Sequence, residues 1–241
     1  MSVNRIIPSA PIAADGTQAV LPSRTGMYGE AATYGFGADN AAFADEGSGY
    51  VVMNATTGTG LTGNAAPIGA TSLLPFLHVF NNGSLTIIPR FAWVRVATAP
   101  SAGATTTEFL CWSDQGSGAS TWTSGGTAIT QVNTNGGVSG IGGGIWHAGA
   151  LVITGVLPRK LWHVQARSVI SVVQDSYFIT FGGTVPGLPA GVATSGTTIM
   201  AGHIAMPAMA CPSKTNWSLS IDGLAQSGAG AYEFSLFYTE R

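Results

Sequence analysis

The residues able to do chemistry are few and scattered. His78, His147, His163 and His203 stand apart, with no H-x-H or H-x-x-x-H spacing, so each reads as a satisfied strand or loop histidine rather than a metal ligand. Glycoside hydrolysis needs two carboxylates about 5 to 9.5 Å apart. Asp45 and Glu46 are adjacent and diverge in an extended chain, while Glu108 and Asp114 share a strand parity but lie about 20 Å apart along it. The nucleophile elbow G-x-S-x-G and the phosphate loop G-x-x-x-x-G-K are absent. Gly58-Thr-Gly60-Leu-Thr-Gly63 matches G-x-G-x-x-G after a strand-like run, yet Asn64-Ala-Ala-Pro67 follows in place of a helix. No acidic residue lies between Glu46 and Glu108 to hold a ribose, so in a chain with 34 glycines this is a chance match. Cys111 and Cys211 sit in no C-x-x-C pair and read as buried free thiols. No catalytic, cofactor or metal site is expected, and the chain is read as non-enzymatic.

Aromatic residues are the remaining candidates. Trp93, Trp162 and Trp217 fall in phase with the apolar alternation and are assigned to the core. Trp122 and Trp146, set among glycines between Gly116 and Gly149, are expected to be exposed, as contacts for another protein or as platforms for a sugar ring.

Composition points the same way. Charged residues make up 8% of the chain against a usual figure of about 25%, and Gly, Ser, Thr and Ala take their place. A surface this poor in charge suits a subunit covered by neighbours in an assembly. The net charge of −2, with no run of Lys or Arg, argues against nucleic-acid binding. No apolar run approaches 18 residues, so no membrane span is expected. The run Ile6-Ile7 to Ala14 after Arg5 imitates a signal peptide until Pro8 and Pro11 interrupt it, and secretion is not expected.

The elements that would position such contacts are strands. Leu85–Thr98 is the longest β-like run, with Phe91 and Trp93 on one face and Val94 and Val96 on the other. Pro89 requires a start, a bulge or an edge, and Arg95 marks a return to solvent or a partner. Asn81-Asn82-Gly83-Ser84 predicts a hairpin between Leu74–Phe80 and that strand. Further strands are expected at Tyr50–Met53, Thr105–Ser113, Ala128–Val132, Leu151–Val156, Leu161–Val173, Tyr177–Phe181 and Thr197–Ala205. Two more show the cleanest period of two: Trp217, Leu219 and Ile221, and then Tyr232, Phe234, Leu236 and Tyr238. The fold class is all-β, an antiparallel β-sandwich or jelly roll with an extended N-terminal arm. Residues 1–46 form the arm, with at most a short helix at Ala38–Glu46, and 47–241 a single body.

The segment from Arg5-Ile-Ile-Pro-Ser-Ala-Pro to Arg24-Thr-Gly-Met-Tyr28-Gly-Glu30, with Asp45-Glu-Gly-Ser-Gly-Tyr50 and Thr57 to Pro67, resembles virion structural proteins of tailed bacteriophages. The likeness continues loosely through Phe181-Gly-Gly to the closing Tyr-Glu-Phe-Ser-Leu-Phe-Tyr-Thr-Glu-Arg241. The resemblance implies a capsid decoration or cement subunit, assembled in the host cytoplasm. It would bind the major capsid protein or other virion proteins and form a homo-oligomer, a trimer for preference. Arg5, Arg24, Tyr28, Trp122 and Trp146 are the candidate partner contacts. A tail or fibre component touching host glycans is the alternative, and a sandwich hydrolase the remaining class.

Overall fold

The structure, a computed structural model, describes residues 47–65, 74–100, 106–114, 121–136, 142–154, 158–167, 170–182, 202–223 and 226–241. The chain divides into two units, Met1–Ala42 and Phe43–Arg241, and every described residue belongs to the second. Residues 1–46, with Arg5, Arg24, Tyr28 and the short helix considered at Ala38–Glu46, lie outside the described residues.

Thirteen strands and no helix occur among the described residues. They are β1 (Gly49–Met53), β2 (Leu61–Thr62), β3 (Leu77–Asn81), β4 (Ile87–Thr98), β5 (Thr107–Asp114), β6 (Thr121–Ile129), β7 (Gln131–Asn133), β8 (Gly144–Thr154), β9 (Pro158–Arg167), β10 (Ser176–Phe181), β11 (Gly202–Met206), β12 (Asn216–Asp222) and β13 (Ala231–Glu240). Sheet I runs β11-β10-β4-β13-β1-β7, with β2 also on β13, and sheet II runs β6-β8-β3-β12-β5-β9.

The pairing identifies the sandwich as a jelly roll. Setting aside β2, β6, β7, β8 and β11, eight strands remain, and they pair first with last, second with seventh, third with sixth and fourth with fifth. These ladders are β1–β13, β3–β12, β4–β10 and β5–β9, all antiparallel. That is one long antiparallel ribbon, rolled so that β13 also meets β4 and β12 meets β5. The β10–β11 pair is parallel, the exception to an antiparallel sandwich.

The core lies between the sheets, filled by the residues that period two selects. Trp217, Leu219 and Ile221 point inward from β12, Tyr232, Phe234, Leu236 and Tyr238 from β13, and Ala92, Val94 and Val96 from β4, all buried. Each large side chain among them contributes about 1.5 to 3 kcal/mol by leaving water. Cys111 and Cys211 are free and buried, as expected, and burial pushes the Cys211 thiol up to about 11.

Three expectations need correction. Asn81-Asn82-Gly83-Ser84 turns the chain but closes no hairpin, because β3 belongs to sheet II and β4 to sheet I. The Asn81 side chain fastens this crossover, donating to the Leu85 carbonyl at 2.7 Å and the Cys211 carbonyl at 2.8 Å. Between Gly116 and Gly149 only Ala128–Val132 looked extended, yet β6, β7 and the start of β8 lie there. Finally, the strand expected at Leu161–Val173 begins earlier and is shorter: β9 takes in Pro158–Lys160, runs to Arg167 and forms the edge of sheet II. Pro89, by contrast, behaves as its chemistry requires. β4 runs through it, and the ladder to β13 slips there, with Phe91 opposite Phe237 and Pro89 opposite Tyr238.

Candidate interaction face

Sheet II covers its own outer face. In the β6–β8 ladder Trp122 stands opposite Ile153, yet its ring stacks on His147, with centroids 4.2 Å apart and planes at 6°. Six residues of flat strand span about 20 Å, so the ribbon must fold back over the sheet. The ladder slips twice, between Trp122 and Ser124 and between Gly125 and Thr127, and the fold occurs at the second slip. Gly125 and Gly126 sit there with φ of +78° and +64°, and a Cβ on Gly126 would meet the Ala148 carbonyl oxygen at 2.5 Å. The folded ribbon brings Leu151 and Ile153 onto Leu110 and Trp112 of β5, a second buried cluster.

Beneath this ribbon lies a buried polar group. His78 and His147 face each other directly across β3 and β8, although their sequence spacing suggested isolated histidines. His78 Nδ1 lies 2.8 Å from Ser218 Oγ, and both residues are fully buried. Burial, and then the neighbouring His147, push the His78 pKa down to about 3; burial likewise lowers that of His147. His78 Nε2 and His147 Nδ1 have no hydrogen-bond partner. The serine–histidine pair has the atoms of a nucleophile and its base, but a hydroxyl with no exposure meets no substrate, so the pair is a core contact. The other histidines are engaged too, His163 with Glu108 at 2.6 Å and His203 with Thr180 at 3.1 Å. Among the described residues no group of three or more His, Cys, Asp or Glu is placed to hold a metal ion.

Sheet I is different: its outer face is aromatic and partly open, with Phe237 and Thr180 buried and Met53, Val132 and His203 exposed. One cross-strand row runs Met53, Ser235, Trp93, Phe178 and His203 over β1, β13, β4, β10 and β11. The next runs Val132, Val51, Phe237 and Phe91. Phe91 stacks between Phe178 and Phe237, with centroids at 5.7 and 5.2 Å, an arrangement that stiffens the face. Phe91, Trp93 and Phe178 are only half-buried, and Met53 and Val132 are 47% and 57% exposed.

Ser235, short between Met53 and Trp93, leaves a cleft of about 170 Å³. Beside it Arg95 and Glu233 stand opposite each other in the ladder and form an ion pair through Nη2 and Oε2. The guanidinium also lies 5.8 Å from the Trp93 ring centroid. Glu233 is 5% exposed and Arg95 29%, and the pair leaves Arg95 Nε and Glu233 Oε1 buried and without a partner. Arg95 therefore does not point into free solvent.

Of the contacts expected from sequence, Trp122 is exposed, at 41%, and Trp146 is not, at 2%. Trp146 points inward from β8 and packs on Tyr238, with centroids 5.0 Å apart. Trp93 and Trp162, assigned to the core, lie respectively half-buried on the outer face of sheet I and exposed on edge strand β9, while Trp217 is in the core. The rows of sheet I have no local trace because they join residues of four or five strands each; the signal available locally was the apolar second face of β4. The chain matches no protein-family model, no curated protein and no solved structure.

Proposed function

We propose that the chain is a non-enzymatic structural subunit of a tailed-bacteriophage particle, a decoration or cement protein that docks on the capsid lattice through the outer face of sheet I. The observation that carries this is the contrast between the two outer faces. Sheet II folds its own ribbon over itself, whereas sheet I presents the half-buried rings of Phe91, Trp93 and Phe178, exposed Met53 and Val132, and the Arg95–Glu233 ion pair. Contiguous apolar surface of this kind marks a contact site, and the low charge of the chain agrees with it. The fold is shared by capsid and lectin domains and does not choose between them. Arg5, Arg24 and Tyr28 would add contacts from the N-terminal segment. The test is the copy number in purified particles by quantitative mass spectrometry: hundreds per particle support a lattice subunit, and a dozen or fewer point to the tail.

One observation favours the second reading, a tail or fibre protein touching host glycans. Trp122 is exposed yet held flat, by His147 against one face and by its Nε1 donating to the Gly125 carbonyl at 2.9 Å. A rigid indole suits a sugar ring. Glycan-array binding by the full chain that is lost in Trp122→Ala would establish it.

A further inference from the structure

We infer that the distal half of the β6–β8 ribbon, residues 121–124 and 150–154, is a hinged flap over the outer face of sheet II, and that acid releases it by protonating the histidine pair beneath. This flap plays no part in the docking proposed for sheet I.

Three observations mark a flap. The first is a hinge line that crosses both strands. Gly125 and Gly126 of β6 and Gly149 of β8 all hold positive φ, at +78°, +64° and +110°, and a Cβ on Gly149 would lie 3.2 Å from the Gly126 Cα, so the glycines abut. Without side chains, they give the backbone there the freedom to swing. The second is the ladder. The β3–β8 pairing ends at Ala148, and beyond the hinge the described pairing of β8 is with β6 alone, itself an edge of the sheet. The third is packing. The flap rests on Leu110 and Trp112 through Leu151 and Ile153, a cluster separate from the main core, and its Trp122 ring lies on His147. A segment with so few buried contacts of its own opens more readily than the core.

What lies under the flap can take up protons. His147, His78, Ser218 and Trp112 form one cross-strand row over β8, β3, β12 and β5, each 8% exposed or less. The groups facing the two imidazoles are each other, Ser218 from β12, and Ala128 and Trp122 from β6. The row itself offers no negative charge to an imidazolium, and the Glu108 carboxylate of β5 is engaged by His163. With the flap down, burial and then His147 hold the His78 pKa at about 3, burial lowers that of His147, and His78 Nε2 and His147 Nδ1 have no partner. With the flap up, water reaches both rings and they titrate near 6.5. Closure is therefore fully favoured above about pH 6.5 and is weakened progressively as pH falls toward 3. An indole face attracts an imidazolium, but the lowered pKa of both rings shows that loss of water outweighs that attraction. For His78 alone, the open population rises about 25-fold between pH 7 and pH 5.

The test is hydrogen exchange followed by mass spectrometry on the full chain at pH 7 and pH 5, with each rate corrected for its intrinsic pH dependence. Residues 150–154 should exchange at least tenfold faster than β12 and β13 at pH 7, and their open population should rise at least tenfold at pH 5. In His78→Gln that rise should shrink to what His147 alone supplies. Protection of 150–154 equal to that of β12 and β13 would mean that the ribbon opens only when the whole fold does, and overturns the flap. A wild-type rise of less than tenfold, or an undiminished rise in His78→Gln, overturns the acid trigger. If the variant fails to fold, the two wild-type comparisons decide.

Discussion

Acid should loosen this fold through His78. Its pKa is 6.5 in the unfolded chain and about 3 when folded, lowered by burial and then by His147. As pH falls below about 6.5 the unfolded chain takes up a proton that the folded chain refuses, so the contribution is intact above 6.5, drains away between 6.5 and 3, and is constant below. By linkage, moving from pH 7 to pH 5 costs roughly 2 kcal/mol at this one site. For a body of this size that lowers Tm by about 4 to 8 °C. His147 acts in the same direction, its pKa being lowered by burial as well. The assay is thermal unfolding of the full chain, followed by circular dichroism at pH 7 and pH 5, for wild type and His78→Gln. The variant loses stability at pH 7, because a buried amide replaces a ring bonded to Ser218. The informative quantity is its drop between the two pH values, which should be smaller than that of wild type by about 2 kcal/mol. Carboxylates titrate alike in both proteins and cancel in the difference. Equal drops would show that His78 is not a neutral, buried base in the folded state.

Two further outcomes follow from packing. Leu236→Ala, at a fully buried position of β13, should cost about 2 to 5 kcal/mol in urea unfolding, while Ser235→Ala on the opposite parity should cost well under 1 kcal/mol. Gly126→Ala sets a Cβ against the Ala148 carbonyl at a φ of +64°. It should cost about 1 kcal/mol or more and, by opening the ribbon, speed hydrogen exchange in Gly149–Thr154 while leaving β12 and β13 protected.

What the sequence disclosed was whatever one buried face dictates. In β12, β13 and β4 the apolar residues recur with period two because every second side chain enters the core, and a slip of one residue would reverse them. Tyr50–Met53 and Tyr177–Phe181 were legible for the same reason. The Asn81–Ser84 turn was legible as a turn, but turn chemistry does not say whether the next strand pairs with the last or crosses to the other sheet. That is decided by ladders to β10, β12 and β13, more than 80 residues away. β6 and β8 were obscured by their glycines, which lower strand propensity yet are what let the ribbon fold back. Trp146 was misplaced with them, its inward phase with Ala148 hidden among those glycines. On the open face, Arg95 was legible as a possible partner contact, whereas the row through Ser235 and Met53 came only from register. The His78–Ser218 pair spans 140 residues and leaves no local trace.

The most direct measurement is the occupancy of particles by a surface variant. Met53→Glu with Val132→Glu alters two exposed positions of the sheet I face, at 47% and 57% exposure, and should leave the unfolding temperature within a few degrees of wild type. Particles grown with each protein are purified and its copies counted by quantitative mass spectrometry. Docking through sheet I requires hundreds of wild-type copies per particle and a loss of at least tenfold in the variant. Full occupancy by the folded variant, or only a handful of wild-type copies, would contradict it.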